Sequence, residues 1–201
     1  MHPIRTRLVL GALIVVIVAA LLLLVDFQAA TSASIVESSV SKFTVGATAS
    51  TRFPPPASLC LVVSGGSELH AYLEKELVQG LRSAPGIGEV TPIDSADGEK
   101  SCPTLLVEAS PDVLTWTPVY SSARGVARLI YASDGDLSWR NDKAVVMSNR
   151  DGSPQVRVRG DLKLGDTTRG IMSRPAYQRH LAHQIALAAS DVLKKQVYDT
   201  D

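Results

Sequence analysis

One continuous apolar run, two stretches with helical spacing and a series of stretches alternating with a period of two predict an α+β protein. The expected architecture is an N-terminal transmembrane helix followed by a two-layer sandwich. In that sandwich two helices cover one face of a mixed, mostly antiparallel sheet.

The apolar run is Leu8–Val25, LVLGALIVVIVAALLLLV, eighteen residues with no charge and no proline. At helical rise it is about 27 Å long, close to the roughly 30 Å hydrocarbon core of a bilayer. His2, Arg5 and Arg7 precede it and Asp26 follows. The positive-inside bias therefore puts residues 1–7 in the cytoplasm and residues 26–201 outside it, with the run as a single-pass signal anchor. A cleaved secretory signal is the competing reading, with Ala29, Ala30, Ser32 and Ala33 as small residues for a cut. The first cysteine is Cys60, so no lipid-modified N-terminal cysteine has a candidate.

Residues 26–57 are rich in Ser, Thr and Ala and close on Arg52-Phe53-Pro54-Pro55-Pro56. The prolines favour an extended spacer, and Val36, Val40 and Phe43 recur at helical spacing, as in a short stalk. The exported domain is expected over 58–201. Leu-Cys-Leu-Val-Val from Leu59 reads as a buried strand ending at the turn Ser64-Gly65-Gly66-Ser67. Ser67 can cap a helix whose stripe is Leu69, Leu73, Leu77, Leu81 and Ala84, with Gly80 allowing close approach to a sheet. Residues 104–109 form a second strand, parallel to the first through a right-handed crossover.

The period then becomes two. Strands are expected over 113–120, 126–133, 144–149 and 155–164, with turns at Asp134-Gly135 and Asp151-Gly152. Pro118 puts the first of these at an edge or a bulge. In the last, Val156, Val158, Leu162 and Leu164 share one face and Arg157, Arg159, Asp161 and Lys163 the other, so one side meets a core and one meets water. A long helix follows from Ser173 to about Val197, with Pro175 in its first turn and Tyr177, Leu181, Ile185, Ala188 and Val192 on one face. Over residues 59–197 this order looks like that of envelope-assembly and transport-auxiliary proteins, such as the lipopolysaccharide-assembly lipoprotein group. The resemblance implies a fold and transfers no function.

The chain holds 20 basic and 20 acidic residues; without Arg5 and Arg7, residues 26–201 carry 18 against 20, a net −2. That balance argues against a nucleic-acid partner. Aromatics are only 5% of the chain, so Val, Leu, Ile and Ala must build the core.

Four constellations could carry chemistry. Cys60 and Cys102 fall near the same end of a parallel pair, within bridging distance, and in an oxidising compartment form a disulfide; buried free thiols are the alternative. His70, His180 and His183 are weak candidates for a metal site, without an H-E-x-x-H pattern, and read better as solvated surface residues. The turn Ser64, Gly65, Gly66, Ser67 precedes a helix N-terminus, where an anion can bind, but lacks every phosphate-loop signature. On the open face, Trp116, Tyr120, Arg128, Arg157, Arg159 and Lys163 could mix aromatics with cations for a partner or ligand; an ordinary solvated face is the alternative. No catalytic set and no cofactor signature emerges. The expected function is a non-catalytic accessory or binding module of an envelope-associated assembly, with a protein partner. The alternatives are an exported hydrolase or metal-dependent enzyme, or a structural subunit of a surface or pilus-like assembly.

Overall fold

The computed structural model describes residues 3–48, 50–84, 86–94, 102–142, 145, 147 and 153–198. The elements are α1 (Pro3–Leu24), β1 (Gln28–Val45), β2 (Ser58–Gly65), α2 (Ser67–Arg82), β3 (Glu89–Pro92), β4 (Thr104–Trp116), β5 (Tyr120–Ala132), a 3-10 turn (Ser138–Asn141), β6 (Gln155–Met172) and α3 (Arg174–Gln196). The strands form one six-stranded sheet in the order β1-β6-β5-β4-β2-β3. β2 pairs in parallel with both β3 and β4, and every other pair is antiparallel. The mixed α+β sandwich expected from the sequence is therefore the fold observed.

Helices α2 and α3 lie together on one face, where Leu73, Leu77, Leu181 and Ile185 join Leu105, Val107, Leu129, Val158 and Leu162 in the main core. The α2 stripe buries as its spacing requires, but the N-cap is Gly66, and Ser67 is the first helical residue. Gly80 meets α3 rather than the sheet: a Cβ there would lie 3.5 Å from Ser190 Oγ. α3 starts as expected, with the Ser173 hydroxyl accepting from the Ala176 N–H at 3.3 Å, Pro175 in the first turn, and Lys194 and Lys195 in the last. At its far end Tyr198 meets Tyr131 edge-on at 5.9 Å, and burial pushes the Tyr131 hydroxyl up to about 12.

Residues 28–45 are not a spacer or a helical stalk. They form β1, paired with β6 without interruption from Gln28↔Met172 to Val45↔Gln155. A spacing of four is shared by both periodicities, so Val36 and Val40 fit a strand face as well as a helix face. Both pack against the main core, while Phe43 points to the other side and meets Trp139 edge-on at 6.4 Å. The proline run is likewise part of the fold: the Pro56 and Ala57 carbonyls accept from the Gly88 and Glu89 N–H groups at 3.1 and 2.9 Å.

Further departures concern strand lengths. The strands expected at 104–109 and 113–120 are largely one strand, β4, with a register shift between Pro111 and Val113 absorbing the change of face. Pro118 lies in the turn after β4. β3 is only four residues long, below what periodicity can reveal. The strand expected at 144–149 lies outside the described residues except for Val145 and Met147, which carry no strand, and the Asp151-Gly152 turn lies wholly outside them.

The apolar run 8–25, read from the sequence as a transmembrane helix, is helical as far as Leu24. α1 covers this stretch, but among the described residues no helix is long and apolar enough to cross a membrane.

Candidate functional site

The open face of the sheet does not present the set of aromatics and cations read from alternation. Trp116 is on the helix side, packed against the main core, with its indole N–H donating to the Met172 carbonyl at 3.1 Å. The bulge before it reverses the parity that the sequence implied. Arg157 and Arg159 both lie over one indole, their guanidinium carbons 5.5 and 5.1 Å from the Trp139 ring. Arg157 is buried and donates to Asp134 and Asp136 at 3.0 and 3.2 Å. Arg159 donates to the carbonyls of Trp139, Arg140 and Asp142. Both arginines thus fasten the 133–142 loop over a second small core of Val62, Leu106, Ile130, Ala132, Leu137 and Trp139. Arg128 stands between its cross-strand neighbours Glu108 and Asp161, at 3.7 and 4.0 Å. Lys163 lies opposite Glu37 in the register, and Tyr120 is exposed farther along the same face.

The histidines are held apart by three different carboxylates. His70 faces Glu74 at 3.7 Å, His183 bonds Glu76 across α2 and α3 at 2.8 Å, and His180 bonds Asp166 at 3.0 Å. Among the described residues no group of three metal-ligating side chains forms. His180 departs from the solvated reading, because its side chain is only 14% exposed and the partner carboxylate is fully buried.

Asp166 is the centre of a polar network that sequence spacing does not reveal. Its Oδ1 accepts from the Ser34 hydroxyl at 2.5 Å and lies 3.0 Å from His180 Nε2, and its Oδ2 accepts from Thr168 at 3.2 Å. His180 Nε2 is also 3.0 Å from the Ser34 hydroxyl, so a single ring nitrogen faces both serine and acid, whereas in a nucleophilic triad the two ring nitrogens serve them separately. The network joins β1, β6 and α3. Burial alone would raise the Asp166 carboxyl, but hydrogen bonds from His180 and Ser34 hold it below the usual carboxylate range. A depressed folded pKa means that this stabilisation is complete above the unfolded value near 3.8 and is lost as pH falls through the folded one. Asp166→Asn should therefore lose about 1–3 kcal/mol at neutral pH. In thermal melts across the acid range, its deficit against wild type should shrink as pH falls.

The turn at the start of α2 carries a close approach of chains: a Cβ on Gly65 would lie 2.7 Å from the Ala109 carbonyl oxygen. Above it is a cleft of about 230 Å³ lined by Gly66, Glu68, Leu69, Pro111, Leu114, Gln178 and Leu181. The negative charge at this helix N-terminus comes from Glu68, whose carboxylate receives Arg174 and the Gln178 amide, the latter at 2.8 Å. The cleft wall is otherwise apolar. Cys60 and Cys102 form a disulfide with a Cα–Cα distance of 5.9 Å. Cys60 sits in β2 opposite Thr104 of β4, the shared sheet end that a parallel pair requires.

No protein-family model and no characterised protein matches the chain in sequence. Among solved structures it is similar to a dodecamer of PelC from Paraburkholderia phytofirmans in two crystal forms. One match has 12% identity and a TM-score of 0.36, over 81% of this chain and 100% of that one. The other has 14% identity and a TM-score of 0.36, over 76% and 97%. It is also similar to a neuraminyllactose-binding hemagglutinin homologue from Helicobacter pylori, at 12% identity and a TM-score of 0.38 over 75% and 91%. Likenesses at these TM-scores transfer neither family nor function.

Proposed function

We propose that the chain is a non-catalytic accessory module, tethered to a membrane by its N-terminal apolar segment and presenting its α+β domain outside the cytoplasm to a protein partner. The observation that carries this is α1, which is apolar all round and leaves Val9, Val15, Val16 and Leu24 between 64% and 80% exposed. A helix apolar on every side needs an apolar surrounding, and the rest of the chain does not supply one. The eighteen-residue uncharged run and the arginines before it favour insertion with the domain outside.

The position of β1 supports an uncleaved segment. Ala29, Ala30, Ser32 and Ala33, the residues that offered a cleavage site, are paired with β6, and a cut there would sever the start of an edge strand. The apolar cleft at the end of β2 and β4 favours binding over hydrolysis, which calls for a polar pocket with a positioned acid, base or nucleophile. The test is alkaline carbonate extraction of membranes combined with protease digestion from each side. The full-length chain should stay in the pellet, with the domain cut only from outside. Release of a soluble form starting near residue 33 would overturn the tether. Cross-linking in intact membranes should capture a distinct partner protein; a lone chain throughout would overturn the accessory role.

A further inference from the structure

We infer that the end of the domain from which α1 departs sits in the lipid headgroup layer, with the β4–β5 hairpin tip entering the acyl boundary beside α1. This rests on the tether proposed above and fixes how the domain lies against the bilayer. Only Val25, Asp26 and Phe27 separate α1 from β1, and at full extension they span no more than about 14 Å. They are also pinned to the domain. The Phe27 N–H donates to the Ser173 hydroxyl at 2.9 Å, the Ser173 N–H donates to the Phe27 carbonyl at 2.8 Å, and Asp26 pairs with Arg179. A domain joined this way cannot stand off from a membrane that holds α1.

The hairpin tip is at the same end. Gln28 at the start of β1 lies opposite Met172, and the Met172 and Gly170 N–H groups donate to the Pro118 and Val119 carbonyls at 3.1 and 3.0 Å. Around that level Phe27, Val119, Tyr120 and Ile171 are 42–63% exposed. Turns facing water collect small polar residues, whereas apolar bulk with a tyrosine beside it matches the headgroup boundary. Arg169, exposed and directly opposite Tyr120, adds a cation at the depth of anionic headgroups. The opposite end of β1, about 60 Å away, turns instead through Thr48 and Ser50, whose hydroxyls bond each other at 3.1 Å. The occupant is lipid rather than a protein surface, because the patch is continuous with α1.

The test places single cysteines labelled with nitrobenzoxadiazole in the full chain, reconstituted in phosphatidylcholine–phosphatidylglycerol vesicles containing nitroxide lipids; the native cysteines are oxidised and do not react. Val119→Cys reports the tip, Val16→Cys the tether and Ser50→Cys the far end. Expected is loss of emission at positions 16 and 119 with none at 50. Quenching at 16 but not at 119 leaves the tether standing and overturns the inference, including the case of a blue-shifted, unquenched label at 119, which would mean a protein covers the tip. No quenching at 16 overturns the tether and the inference together. Val119 and Ser50 are exposed, so neither substitution disturbs the core.

Discussion

A chain that starts after β1, at residue 46, should lose cooperative unfolding altogether. Without β1 the β6 edge has no partner along all eighteen register pairs, and the contacts of Ala30, Val36 and Val40 with the main core disappear. Asp166 also loses the Ser34 hydroxyl from its carboxylate. Three half-buried apolar side chains contribute roughly 1 kcal/mol each. The lost hydrogen bond to a charged carboxylate costs about 1–3 kcal/mol more. The sum, about 4–6 kcal/mol before any ladder contribution, is comparable to the whole stability of many domains. Circular dichroism melts and amide exchange of β6 measure it. A truncated chain melting like wild type would make residues 28–45 the spacer that their composition suggests.

The second large effect concerns the disulfide. Cys60 and Cys102 are 42 residues apart, and the loop they close contains α2 and β3. By loop-closure entropy the cross-link stabilises the fold by about 4 kcal/mol. For a chain of this size that corresponds to a midpoint shift of roughly 8–16 °C. The double substitution Cys60→Ser, Cys102→Ser should melt lower by this amount, and wild type in reductant should melt with it. An unchanged midpoint would mean that the bridge constrains nothing in the unfolded chain.

The sequence-legible parts of the fold are those whose apolar period has one solution. The stripe Leu69, Leu73, Leu77, Leu81 and Ala84 closes on a step of three, which a strand face cannot follow, and Val156, Val158, Leu162 and Leu164 fit only a strand face. The disulfide followed from the parallel pairing of two apolar strands. What stayed hidden has local physical reasons. Val36 and Val40 satisfy both periods, and serines between them mimic a linker. The bulge at Pro111 and Val113 moves Trp116 to the other face, which no alternation rule anticipates. Arg157 and Arg159 sit on the polar side of β6 as expected, yet the Trp139 loop covers them, and a loop's path is not a periodic property. Asp166 resembled any other polar strand residue. Only its facing neighbours, Ser34 from β1 and His180 from α3, reveal a buried network. The exposed apolar end was legible as scattered residues and not as a patch, because Phe27, Val119 and Ile171 come from three separate segments.

The pairing of β1 with β6 also sets an order of events during synthesis. Phe27 and Ser173, which close this pairing at one end, are 146 residues apart. At ordinary elongation rates β1 waits roughly 7 to 30 s before its partner exists. An apolar strand held unpaired that long would be an aggregation hazard. β1 waits with serines at 32, 34, 38, 39 and 41, and with Glu37 and Lys42 as its charges. The composition that makes the segment look like a linker is thus what lets the first strand made stay solvated until the last strand arrives.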